Sequence, residues 1–186
     1  MPTTPLRRLV PVAIVALAGS VARAADSKPV LPKQIGGLPY KTAKKFDDPA
    51  LGVALIYQGQ GTALNIYIYN GGLRDIPNEI DTVVALQQFE QAKGDVLASK
   101  AWTTVKFVSD GTVILGSKPN IKSYLALFEA TAGDTQYYSI LYLTTGRNKF
   151  YKARLTTPKG NPILEPEPMA QLRRDLGDFI VSLIQR

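Results

Sequence analysis

Between residues 62 and 70 apolar and polar side chains alternate strictly. Leu64, Ile66 and Ile68 fall on one side of an extended chain, and Asn65, Tyr67 and Tyr69 fall on the other. Successive side chains of a strand point to opposite faces, so this segment predicts a strand with one buried side. Residues 51–57 (LGVALIY) precede it across the Gly-rich turn 58–61 and predict its partner. The period then changes. Ile80, Val83, Val84, Leu86, Phe89, Val96 and Leu97 recur at helical spacing, which predicts a helix over 78–100 with Asn78 or Asp81 as N-cap. Gly94 is a weak point at which that helix can divide.

From Trp102 onward the pattern returns to period two. Residues 102–108 and 112–116 flank Ser109-Asp110-Gly111, a sequence that predicts a hairpin turn. Residues 124–131 and 136–144 flank Gly133-Asp134, and Gly146-Arg147-Asn148 leads into a strand at 149–157. Such short turns between strands predict a meander. A proline-rich connector, 158–168, leads to a final helix over 167–185, whose stripe includes Met169, Leu172, Leu176, Phe179 and Ile180. Its polar face mixes Arg173 and Arg174 with Asp175 and Asp178, so the stripe is expected to pack on the sheet rather than on a membrane. The expected fold is α+β: a largely antiparallel sheet in the order β-β-α-β-β-β-β-β-α, covered by helices as an α/β sandwich.

The first residues change the picture of where the chain works. Arg7 and Arg8 form a basic start, residues 9–18 are an uninterrupted apolar run, and Ala22-Arg23-Ala24 is an A-x-A cleavage site. The run is about half of the ~20 residues needed to span a bilayer, so residues 1–24 are expected to be a signal peptide cleaved after Ala24. Leu9-Val10-Pro11 after the arginine pair matches the twin-arginine signal poorly, which favours the general secretory route. With no cysteine there is no lipobox. A periplasmic or secreted address follows. Residues 25–50, with Pro29, Pro32, Pro39 and Gly36-Gly37, are expected to form an extended arm, and 51–186 a single domain.

Composition narrows the chemistry. Losing Arg7, Arg8 and Arg23 with the leader lowers the net charge from +7 to +4, a mild bias that gives no reason to expect nucleic acid. The chain contains no histidine and no cysteine. That removes Ser-His-Asp and Cys-His arrangements, ordinary zinc sites and imidazole-held haem. An enzyme would be left with a carboxylate pair or a Ser/Lys arrangement. Asp47-Asp48 is explained by a turn before Pro49, and Asp75, Glu79 and Asp81 by a helix start. No cofactor or metal is expected.

Two constellations remain. Tyr67 and Tyr69 share a strand face, and with Tyr142 they offer an aromatic floor for a ligand; they equally suit half-buried sheet positions beneath a helix. Lys152 and Arg154 share another strand face, with Arg147 and Lys149 at the turn before. This basic strip would attract an anion or a partner protein, or else mark a solvated outer strand whose lysine blunts an edge. The expected role is non-catalytic: binding an envelope partner or assisting assembly, with small-ligand binding as the alternative.

Residues 31–38 (LPKQIGGL), Leu51-Gly52-Val53 and Tyr67-Ile68-Tyr69 together resemble a group of uncharacterised exported bacterial proteins. The element order more loosely resembles the PsbP-like fold of an extrinsic photosystem protein and of DcrB-type envelope proteins. The resemblance implies a fold and an exported setting; it carries no activity.

Overall fold

The computed structural model describes residues 30–185. The expected leader and its cleavage site lie outside the described residues. The strands are β1 (Gln34–Ile35), β2 (Leu38–Lys45), β3 (Val53–Gly59), β4 (Thr62–Tyr69), β5 (Thr104–Leu115), β6 (Ile121–Ala132), β7 (Thr135–Gly146) and β8 (Lys149–Pro158). The helices are α1 (Val83–Leu97) and α2 (Pro166–Ile184). All strands join one antiparallel sheet in the order β1-β2-β3-β4-β8-β7-β6-β5. The fold is α+β.

Within the stretch expected as an arm, Gln34–Ile35 and Leu38–Lys45 are extended and enter the sheet. Gly36 and Gly37, at φ +55° and +77°, reverse the chain so that Ile35 lies opposite Leu38, a backbone conformation that suits glycine. Residues 40–45 then pair with β3. Pro39, one of the prolines that argued against a strand, is the second residue of β2 and lies opposite Gln34 of the two-residue strand β1. Lys41, Lys44 and Lys45 are exposed on this outer strand.

The hairpin expected at Ser109-Asp110-Gly111 does not form. β5 runs unbroken for 12 residues because β6 offers a pairing partner along its whole length, with Gly111 opposite Leu125. A bulge between Phe107 and Ser109 absorbs the irregularity. Asp110 is held by Lys93 of α1 at 2.6 Å instead of serving a turn. The observed order is therefore β-β-β-β-α-β-β-β-β-α.

α1 begins later than its apolar stripe suggested. Thr82 is the N-cap, its Oγ1 accepting from the Ala85 N–H at 3.2 Å. Asn78 Oδ1 accepts instead from the Arg147 N–H at 2.8 Å, and Asp81 pairs with Lys122 at 2.8 Å. Both expected caps are thus spent on tertiary contacts. The helix passes through Gly94 without a break.

Alternation along the strands gives the sheet two different faces. On one, Tyr57, Leu64, Ile66, Tyr142 and Leu155 pack with Leu172, Leu176 and Ile180 of α2. On the other, Tyr69, Phe128, Leu141, Leu143 and Phe150 pack with Phe89, Ala92 and Val96 of α1. α2 approaches very closely: a Cβ at Gly177 would overlap the backbone of Gly116.

Candidate anion-binding recess

The last strand, β8, lies between β4 and β7, so its side chains occupy the middle of the sheet. Pairing with β4 sets Lys152 opposite Tyr67 and Arg154 opposite Asn65 on the α1 face. Strand alternation thus makes one cluster from two motifs that the sequence keeps far apart. α1 covers the adjoining row of Phe150, Leu143 and Leu141 with its apolar stripe and turns a flank bearing Asp95 toward Lys152.

Lys152 Nζ lies 3.7 Å from Asp95 Oδ2, with only 20% of its side chain exposed. It also stands 5.0 Å from the Tyr67 ring centroid and 5.6 Å from that of Tyr69, within cation–π range. Burial lowers its pKa; Asp95 works against that shift, and Arg154 adds to it. Arg154 is half-buried, its Nε donating to Ser139 Oγ at 2.9 Å and its Cζ 5.6 Å from the Trp102 ring. Trp102 in turn lies 5.6 Å from Tyr137. Burial lowers the pKa of Arg154 as well, with Tyr67 and Asp95 opposing. Among the described residues Arg154 has no carboxylate within 4.0 Å. A half-buried guanidinium normally holds an anion or a fixed acceptor for each nitrogen; here a hydroxyl and an indole face stand in.

Two buried polar atoms nearby are also unspent. Tyr69 is 9% exposed, and its hydroxyl has no hydrogen-bond partner, Gln88 approaching without completing a bond. Burial, then the charge of Asp95, raises the pKa of this phenol. Trp102 Nε1 is buried without a partner too.

Two hollows open at this cluster. One, about 200 Å³, is lined by Tyr67, Asp95, Lys152, Arg154 and the apolar wall of α1. The other, about 170 Å³, is lined by Phe46, Leu51, Tyr67, Tyr69 and Lys152. They share Tyr67 and Lys152. A larger hollow of about 440 Å³ lies near Gly36–Pro39 and Asn161–Ile163, and no charged side chain lines it. Its Thr62 bonds Thr157 and its Asn161 bonds Gln60 and Ile163, so those polar groups are already occupied. Chemistry favours the smaller pair over the larger hollow. Among the described residues no three acids gather as a metal cage, and Asp95 is the one acid lining the recess.

The structure therefore brings Tyr67, Tyr69, Lys152 and Arg154 together and leaves out three residues that the sequence grouped with them. Tyr142 faces α2, 1% exposed, its hydroxyl donating to Met169 Sδ at 3.7 Å; strand alternation puts it on the opposite face. Arg147 and Lys149 are exposed at the β7–β8 turn, outside both hollows. Nor is β8 an outer strand, because β4 and β7 flank it. Asp95, Trp102, Phe46 and Leu51 escaped the sequence reading. The signals available were a lone tryptophan just beyond a helix and an acid six residues after Phe89, on the flank of the stripe.

No family model matches this chain, and no curated protein matches it. Among solved structures the chain is similar to the solution structure of cyanobacterial PsbP (CyanoP) from Synechocystis sp. PCC 6803. The TM-score is 0.40 at 16% identity, over 63% of this chain and 69% of that one. Nothing about the fold or the recess is drawn from that likeness. Among the described residues no helix is long and apolar enough to cross a membrane.

Proposed function

We propose that this chain is an exported, non-catalytic binding protein of the envelope or periplasm, built as a PsbP-type α/β sandwich, which takes an anionic group in the recess between α1 and strands β4 and β8. The observation that carries the reading is Arg154. It is a half-buried cation on a central strand, oriented by Ser139 and Trp102, with no acid in contact among the described residues. Such a group is desolvated in advance, so an arriving anion gains a charge-assisted hydrogen bond at little further cost of ordering. Lys152 adds a second positive charge in the same hollow. The export part rests on the basic start, the apolar run and the A-x-A site.

The test is an NMR titration of the chain from residue 25 onward, labelled with nitrogen-15, against acetate and inorganic phosphate at low ionic strength. Saturable shifts of the Arg154 Nε and Trp102 Nε1 resonances are expected, and Arg154→Gln should remove them. Linear, unsaturated shifts, or a variant that titrates like the parent, would overturn the reading. Cell fractionation with N-terminal sequencing should recover a product that begins at Ala25 outside the cytoplasm.

A further inference from the structure

We infer that the group taken by this recess is a single carboxylate joined to an apolar body, an inference that rests on the anion-binding reading above. The first argument is charge. Lys152 and Arg154 contribute two positive charges and Asp95 one negative charge to the same hollow, so one negative charge on the ligand brings it to balance. A second would face the Asp95 carboxylate across the same hollow, where like charges repel.

The second argument is shape. The Nε of Arg154 is held by Ser139, and among the described residues its two terminal nitrogens make no hydrogen bond. A planar fork of this kind matches the two oxygens of a carboxylate. Tyr69, which lines the second hollow, carries an unpartnered hydroxyl as a further donor beside Lys152.

The third argument is the neighbouring hollow. Beyond Lys152 the lining becomes Phe46, Leu51, Tyr67 and Tyr69, with Leu51 50% exposed. A purely ionic ligand such as phosphate or sulfate would fill the charged hollow and leave this wall in water. A ligand with a ring or branched chain beside its carboxylate fills both, and covering the wall adds a hydrophobic contribution. The same chemistry is offered by a small free carboxylic acid and by an apolar C-terminal residue of a polypeptide.

Trp102 is the single tryptophan in the sequence, and it sits against Arg154. Its fluorescence can report occupancy directly. The probes are propionate, hydrocinnamate, the neutral hydrocinnamamide, and acetyl-Gly-Phe with either a free or an amidated end. Hydrocinnamate should bind about tenfold more tightly than propionate, the change expected from burying part of a ring, and the two amides should give no saturable response. Arg154→Gln should abolish the response to every acid. Leu51→Ser, at an exposed position, should shrink the advantage of the ring over propionate. Tighter binding of the free-acid peptide than of hydrocinnamate assigns the site to a chain end, and the reverse order assigns it to a small acid. Equal affinity for propionate and hydrocinnamate would overturn this inference while leaving the anion-binding reading intact. Binding of the amide as well as the acid would overturn it on the side of charge. The absence of any saturable response to acids would overturn both.

Discussion

The two faces of the sheet are built from the same strands and yet solve opposite problems. On the α2 face, contact is dense and the polar groups are satisfied. Gly177 lets the helix backbone reach Gly116, whose N–H donates to Arg173 O at 3.1 Å. Asp178 accepts from the Ser117 N–H at 2.6 Å, and Asp175 from the Gly36 N–H at 2.8 Å. The acids of α2 thus bolt the helix to the loops at either side of the sheet. On the α1 face a shorter helix covers only part of the surface. This face also holds Lys152 and Arg154 with lowered pKa values, and three orphaned polar atoms, on Tyr69, Trp102 and Thr145. Unsatisfied buried polarity costs stability, and its confinement to one face separates a region selected for packing from one that retains unspent binding capacity.

Substitutions should break that contrast in a graded order. The largest effect is expected for Gly177→Ala, because the displaced neighbours are backbone atoms that cannot rotate away. A loss of about 3 kcal/mol in urea-melt stability is expected. Gly94→Ala in α1 should do the reverse, since nothing lies within 4 Å of the added methyl, and should raise stability by about 1 kcal/mol through helix propensity. A Gly177→Ala variant as stable as the parent would show that α2 is not seated as described.

The pH dependence should carry contributions of both signs. Tyr57 is fully buried against α2, its hydroxyl 3.3 Å from Pro32 O, and burial followed by Tyr40 pushes its pKa up to about 12. Its contribution is complete below the ordinary phenol value of 10 and is lost as pH rises toward 12, because only the unfolded chain ionises in that window. Lys152 acts with the opposite sign. Its folded pKa lies below 10.5, so the cost of holding its charge is relieved as pH climbs toward that value. Urea melts across the alkaline range should show falling stability above pH 10 in the parent, and a smaller fall in Tyr57→Phe.

The smallest effect on stability is expected for Lys152→Met. Its partner Asp95 is 58% exposed and is solvated when left alone, so a gain of about 0.5 kcal/mol is expected from removing a half-buried charge. The same variant should weaken anion binding. A gain in stability paired with a loss of affinity in one substitution would mark the α1 face as a site; a loss of both would mark Lys152 as a structural residue.

Much of this fold was legible in the chain. Strict alternation along β4 and the helical stripes of α1 and α2 are local signals. Leu64, Ile66, Phe89, Val96, Leu172, Leu176 and Ile180 are buried, whereas Val83, Leu86 and Leu97 of the α1 stripe are exposed. Tyr69 is buried on the strand face expected to lie open, because α1 covers it. The misread elements were those for which a distant partner decides. Ser109-Asp110-Gly111 has the composition of a turn, but β6 runs alongside and keeps it extended. Asn78 and Asp81 are good caps that tertiary contacts claim first. Tyr40–Lys45, within the stretch read as an arm, become a strand because β3 is there to receive them.

The recess shows the same division. Residue identity and period two by themselves determined that Tyr67 shares a face with Tyr69, and Lys152 with Arg154. Only the tertiary structure decided that these two faces are one, by inserting the last strand beside β4 in a register that sets Tyr67 against Lys152. It also decided that Tyr142 is excluded and that Asp95 and Trp102 belong. The physical reason is that alternation is written along each strand, while strand order and register depend on contacts between residues far apart in the chain.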